Sequence, residues 1–126
     1  MSRLSPRALL GTAAFAAGLA IAGTASALDS VKMMIPANPG GGWDTTGREL
    51  GKAMLAAGAV KNVQYDNKGG AAGAIGLAQF VSASKGDPNA LMMGGMVMVG
   101  GTIQNKSAVT LDQVTPIARL TSEYEV

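Results

Sequence analysis

Residues 36–49 read Pro-Ala-Asn-Pro-Gly-Gly-Gly-Trp-Asp-Thr-Thr-Gly-Arg-Glu, and the fold is decided here. Ahead of them, Val31–Ile35 is an apolar run of strand length that stops at Pro36, a residue unable to donate to a ladder. Behind them, Leu50, Ala53, Met54 and Ala57 recur at helical spacing. Thr46 with Glu49 fits a capping box, and Asp44 and Thr45 are alternative N-caps. The order is therefore strand, glycine loop, helix, with the helix expected from about Trp43 to Ala57 and Gly58 as its stop. Glycines let backbone N–H groups come close to a ligand, and a helix start adds unpaired N–H groups and partial positive charge, so the loop favours anions. Gly47 and Gly51 share one helix face. Each costs about 1 kcal/mol against alanine, which implies close packing against a sheet or a ligand.

The same grammar then repeats. Val63–Asn67 reads as a second strand, and Lys68-Gly69-Gly70-Ala71-Ala72-Gly73 is a second glycine-rich loop. A helix follows, with a stripe of Leu77, Phe80, Val81 and Ser84, ended by Gly86-Asp87-Pro88. Ala90–Met93 is a third strand running into Gly94-Gly95. This βαβαβ order predicts an α/β fold with a parallel sheet and right-handed crossovers, and it gathers all three loops at the carboxyl ends of the strands, over one crevice. Past Gly101 the pattern weakens to a turn at Asn105-Lys106-Ser107, a helical turn over Leu111–Val114 and an expected strand over Ile117–Leu120. The alternation Ser122-Glu123-Tyr124-Glu125-Val126 reads as a sheet continuing past this chain.

Arg3 and Arg7, the uncharged run Leu9–Gly23 and the small residues Ala25-Ser26-Ala27 fit a secretory signal peptide cut after Ala27. The run is shorter than the roughly 20 apolar residues of a spanning helix. Taking Arg3 and Arg7 from the ten basic residues leaves eight against eight acidic ones, so the formal charge of +2 belongs to the leader. It gives no support for a nucleic-acid partner. Cysteine and histidine are both absent. That excludes disulfides, thiolate nucleophiles, imidazole bases and the usual zinc sites, and an exported chain without disulfides suggests a bacterial periplasm.

Catalytic motifs are approached but not completed. Gly42 to Gly47 has Walker A glycine spacing, yet Arg48 and Glu49 stand where lysine and a hydroxyl residue are required. Gly70, Gly73 and Gly76 lack the G-x-G opening of a dinucleotide fingerprint. Met92, Met93, Met96 and Met98 supply soft sulfur for copper(I), but as fillers of an irregular core they need no metal. Lys68 beside the second loop either pairs with an anion or is solvated. Asp44 is a cap candidate rather than a base, because one carboxylate without a partner makes a poor acid–base catalyst. These residues favour a non-catalytic binding protein without cofactor or metal. A phosphate- or nucleotide-binding enzyme domain that relies on Arg48 or Lys68 is the alternative.

Pro39-Gly40-Gly41-Gly42-Trp43-Asp44 with Gly47-Arg48, followed by Asn67-Lys68-Gly69-Gly70-Ala71-Ala72-Gly73-Ala74-Ile75-Gly76, resembles the two signature loops of the substrate-binding proteins of tripartite tricarboxylate transporters, the Bug family. The resemblance covers residues 28–126. It implies a periplasmic, two-lobed, monomeric α/β protein of the type II or Venus-flytrap kind, of which this chain is the first part of one lobe, ending before the second. Such proteins capture a small carboxylate, a tricarboxylate such as citrate or a dicarboxylate, and deliver it to membrane permease subunits. By the same resemblance, Pro39, Gly40, Gly41, Gly42, Trp43, Asp44 and Thr45 hold one end of the ligand. Asn67, Lys68, Gly70, Ala71, Ala72 and Gly73 hold more of it, with Gly95 joining from the third loop. The chain departs from the common pattern at Ala37, Asn38, Gly69 and Ala72, and at Trp43, where many relatives carry a smaller residue.

Overall fold

The computed structural model describes residues 27–122; residues 1–26, on which all but the last position of the expected signal peptide falls, and residues 123–126 of the terminal alternation lie outside them. The chain is α/β. Strand β1 (Val31–Ile35) is followed by α1 (Gly42–Ala56), β2 (Val63–Asn67), α2 (Ala74–Ala83), β3 (Ala90–Met92) and α3 (Met96–Gln104), with 3-10 turns at Ala71–Gly73 and Leu111–Gln113. The sheet order is β2-β1-β3 with every pairing parallel, Met33 lying opposite Tyr65 on one side and Leu91 on the other. With β1 in the middle, the crossover to β2 and the one to β3 run in opposite directions. Equal-handed crossovers must then place their helices on opposite faces, as observed: α1 packs over Met33, Ile35 and Tyr65, whereas α2 reaches Pro36 and Asp66 from the other side.

The core is small and centred on β1. Val31, Met33, Met34 and Ile35 are buried, joined by Val60, Leu77, Met93 and Met98. Full burial of one such side chain is worth about 1.5–3 kcal/mol, so the close approach of α1 to the sheet matters. It is made by the two glycines of that helix: a Cβ at Gly47 would stand 3.0 Å from Ile35 Cδ1 and 3.2 Å from Met33 Sδ, and one at Gly51 would collide with the Tyr65 hydroxyl. The face of α1 packed on the sheet is thus buried Gly47 and Gly51 with partly buried Trp43, Leu50 and Met54. Ala53 and Ala57 of the expected stripe face solvent, because the glycines rather than the alanines set the line of contact.

Other local expectations are met or revised. Gly58 (φ +67) ends α1 in a Schellman arrangement, its N–H on Leu55 O and that of Ala59 on Met54 O, each at 3.0 Å. The N-cap is Gly41, and the Thr46–Glu49 box is not used: Thr46 lies inside the helix, its Oγ1 donating back to Gly42 O at 2.8 Å. Residues 96–104, to which the sequence pattern assigns no element, form α3, which buries Met98, Gly101 and Thr102 and leaves Met96, Val97 and Ile103 exposed. No strand forms over Ile117–Leu120. Those residues are exposed and pair with no described strand, and a strand without a ladder leaves its backbone to water.

The Gly51–Tyr65 contact yields a stability test. Gly51→Ala is expected to lower stability to urea by about 1–3 kcal/mol through overpacking, and Tyr65→Phe in that background to recover part of the loss by removing the obstructing hydroxyl.

Candidate functional site

Each parallel strand ends in a loop that opens a helix, and the three loops meet. The first runs from Pro36 to Gly41 ahead of α1, the second from Lys68 to Gly73 ahead of α2, and the third is Gly94-Gly95 ahead of α3. The first two interlock through missing side chains. Gly76 lets α2 come so near that a Cβ there would lie 2.6 Å from Pro36 Cβ and 2.9 Å from Lys68 O, and Gly69 accommodates the Asn38 side chain. Lys68 N–H continues the ladder to Ile35 O at 2.9 Å, which fixes where the second loop begins.

The first loop is held by a buried carboxylate. Asp44, third residue of α1, is 4% exposed. Its Oδ2 accepts the Gly40 N–H at 2.8 Å, Arg48 Nε reaches both oxygens at 3.0 Å, and Asn67 Nδ2 donates to Oδ1 at 2.9 Å. Asn67 also donates to Ala37 O at 3.1 Å and accepts from Arg48 Nη2 at 3.3 Å, while the guanidinium stacks over the Tyr65 ring, 4.9 Å from its centre. The Arg48 hydrogen bond, then the Gly40 N–H and the Asn67 amide hold the Asp44 carboxyl far below the usual carboxylate range, and the same carboxylate raises the Arg48 guanidinium further. The Asp44 side chain is therefore a brace that holds the first loop.

With Gly41 as cap and no capping side chain, the N–H groups of Gly42, Trp43 and Asp44 carry no hydrogen bond within the described residues. The Thr45 N–H is spent on Gly41 O at 2.9 Å, that of Gly41 makes a 3.4 Å contact with Asn38 O, and that of Gly40 is taken by Asp44. Of the amides expected to serve a ligand from this loop, the three of the first helical turn are the ones left open.

The second loop is a left-handed turn. Gly70 (φ +120), Ala71 (+48), Ala72 (+54) and Gly73 (+92) all take positive φ, closed by Gly73 N–H on Gly70 O at 2.9 Å. For each alanine this costs roughly 1–2 kcal/mol. Packing against α3 holds it in place, the Ala72 methyl filling the notch above Gly101. The amides of Gly70, Ala71 and Ala72 are left without partners within the described residues, and successive N–H groups in such a turn make a concavity suited to anions. Lys68 is exposed at its rim, and Gly95, in extended conformation, caps α3.

Trp43 joins the loops. A Cβ at Gly73 would stand 2.9 Å from Trp43 Cζ3, and one at Gly95 3.1 Å from Trp43 Nε1. The indole lies half-buried across both glycines, and its N–H, without a partner among the described residues, keeps contact with solvent. Pro39 is exposed at the outer end of the first loop.

Among the described residues no group of three or more His, Cys, Asp or Glu side chains is placed to hold a metal, and no helix is long and apolar enough to cross a membrane. Met93 and Met98 are core, Met92 is half-buried and Met96 is exposed. Two open grooves, of about 470 Å³ beside Ser30, Lys32 and Asn89 and about 360 Å³ beside Met34, Asp66 and Phe80, lie away from the glycine loops. No family model, no curated protein and no solved structure matches the chain.

The Asp44 brace carries a pH signature. Its carboxyl binds protons more weakly folded than unfolded, so its contribution is complete above the ordinary carboxylate range and is lost as pH falls below about 4. The stability gap between the parent protein and Asp44→Asn, from urea unfolding, is expected to be constant from pH 7 to about 5 and to shrink toward pH 3. Acid sensitivity from Asp87, which is also lowered by the Asn89 N–H and Lys32, is common to both proteins and cancels.

Proposed function

We propose that the chain belongs to a non-catalytic, exported solute-binding protein that captures a small carboxylate between its first and second glycine loops. One observation carries the reading: the open amides of Gly42, Trp43 and Asp44 at the start of a 15-residue helix meet, across Trp43, the left-handed turn Gly70–Gly73 with its own open amides. Both are sets of neutral donors of the kind that bind anions, and the helix start adds about half a positive charge. The residues are those on which the chain resembles the substrate-binding proteins of tripartite tricarboxylate transporters. On that likeness the lobe is of the type II binding-protein kind, the site is one wall of a periplasmic cleft, and the delivered ligand passes to a membrane permease. A charge-assisted hydrogen bond contributes about 1.5–3 kcal/mol, so a few amides on one carboxylate suffice for useful affinity.

The phosphate-handling alternative draws less support, because Arg48, one of its two cations, is paired with Asp44 and stacked on Tyr65. Nothing stands within 4 Å of a Cβ built at Gly42, so this position separates binding from folding. Calorimetry is expected to show heat with citrate or a C4 dicarboxylate and none with a neutral sugar. Gly42→Leu is expected to weaken that binding by about tenfold or more while changing stability by less than about 0.5 kcal/mol. Sugar binding without carboxylate binding overturns the proposal.

A further inference from the structure

We propose that Asn67 is a positioning residue that sets the first and second glycine loops in register without touching the ligand; this deepens the carboxylate reading and rests on it. The resemblance places Asn67 among ligand contacts, but its polar atoms are engaged inside the protein. Nδ2 donates to Ala37 O at 3.1 Å and to Asp44 Oδ1 at 2.9 Å, and Oδ1 accepts from Arg48 Nη2 at 3.3 Å. Both amide hydrogens and the amide oxygen thus have partners, which leaves the side chain no donor to offer an anion.

What it holds explains its place. Asn67 is the last residue of β2 and its backbone leads directly into Lys68 and the second loop. Its side chain reaches the opposite way, to the carbonyl of Ala37 in the first loop and to the carboxylate that fixes the Gly40 N–H. One residue therefore sets the spacing between the open amides of Gly42–Asp44 and those of Gly70–Ala72, two donor groups that a single ligand must bridge. Only an amide of this length serves both loops. Aspartate at 67 would aim acceptors at Ala37 O and at Asp44, two further acceptors, and serine is too short to reach both.

The test uses calorimetry with citrate and succinate, and thermal unfolding to confirm that each protein is folded at the assay temperature. Asn67→Asp, which preserves shape, is expected to weaken binding by about tenfold or more. The exchanged pair Asp44→Asn with Asn67→Asp restores one donor facing one acceptor beside Arg48 but leaves Ala37 O without its donor, and is expected to regain part of the loss. A folded Asn67→Asp that binds within about twofold of the parent overturns the positioning role while leaving the carboxylate reading intact. A parent protein that binds neither probe removes that reading, and this inference with it. Should Asn67→Asp not fold, amide hydrogen exchange on the parent decides: citrate is expected to slow exchange at Gly42–Asp44 and at Gly70–Ala72 together, and slowing confined to one loop overturns the proposal.

Discussion

The arrangement depends on one buried carboxylate that cannot be left unpaired. Asp44 has little access to water, and a charge left unpaired in such a place is costly, so every donor around it is held in place by that requirement. The donors come from the loop before its own helix (Gly40), from one turn along that helix (Arg48) and from the end of the neighbouring strand (Asn67). A local feature of α1 is thereby joined to β2. Removing the carboxylate would release the loop, the strand end and the guanidinium together.

The second constraint is steric. Gly47 and Gly51 set how near α1 comes to the sheet, Gly76 how near α2 comes to Pro36, Gly101 how near α3 comes to Ala72, and Gly73 with Gly95 leave the slot that Trp43 occupies. In each case glycine gives up helix propensity or backbone entropy, about 1 kcal/mol apiece in a helix, in exchange for contact between elements. A sheet of three short strands has little apolar area to bury. Close approach of the backbone makes up for core volume that the chain lacks.

Much of this was legible in the sequence, for identifiable reasons. The first and third strands were readable because apolar runs of strand length are bounded by Pro36 and by Gly94-Gly95, the second because Val63–Asn67 alternates and stops at the Lys68–Gly73 loop, and the paired helix glycines announced close packing. The third helix was not, because Gly100 and Gly101 depress helix propensity and residues 94–101 offer no charged or polar face to set a period. The expected strand over Ile117–Leu120 had the right residues but no partner to pair with among the described residues, a long-range condition that local pattern does not contain. The Asp44–Arg48 spacing of four was visible; its bond to Asn67, 23 residues away, was not. The left-handed path of Ala71 and Ala72 was hidden as well, since alanine gives no signal for positive φ and the cause, the Gly101 notch, lies in α3.

Trp43 connects these constraints to function: its indole rests on the glycines of the second and third loops, and the amide behind it is one of the three left open by α1. The most direct measurement is an NMR titration of the isotopically labelled protein with citrate, read amide by amide. The largest shifts are expected on Gly42, Trp43 and Asp44 and on Gly70 to Gly73, with the Trp43 indole N–H moving alongside them. Shifts centred on Lys32, Gln64 and Asn89 at the opposite end of the sheet, or no shifts with any small carboxylate, would contradict a carboxylate site at these loops.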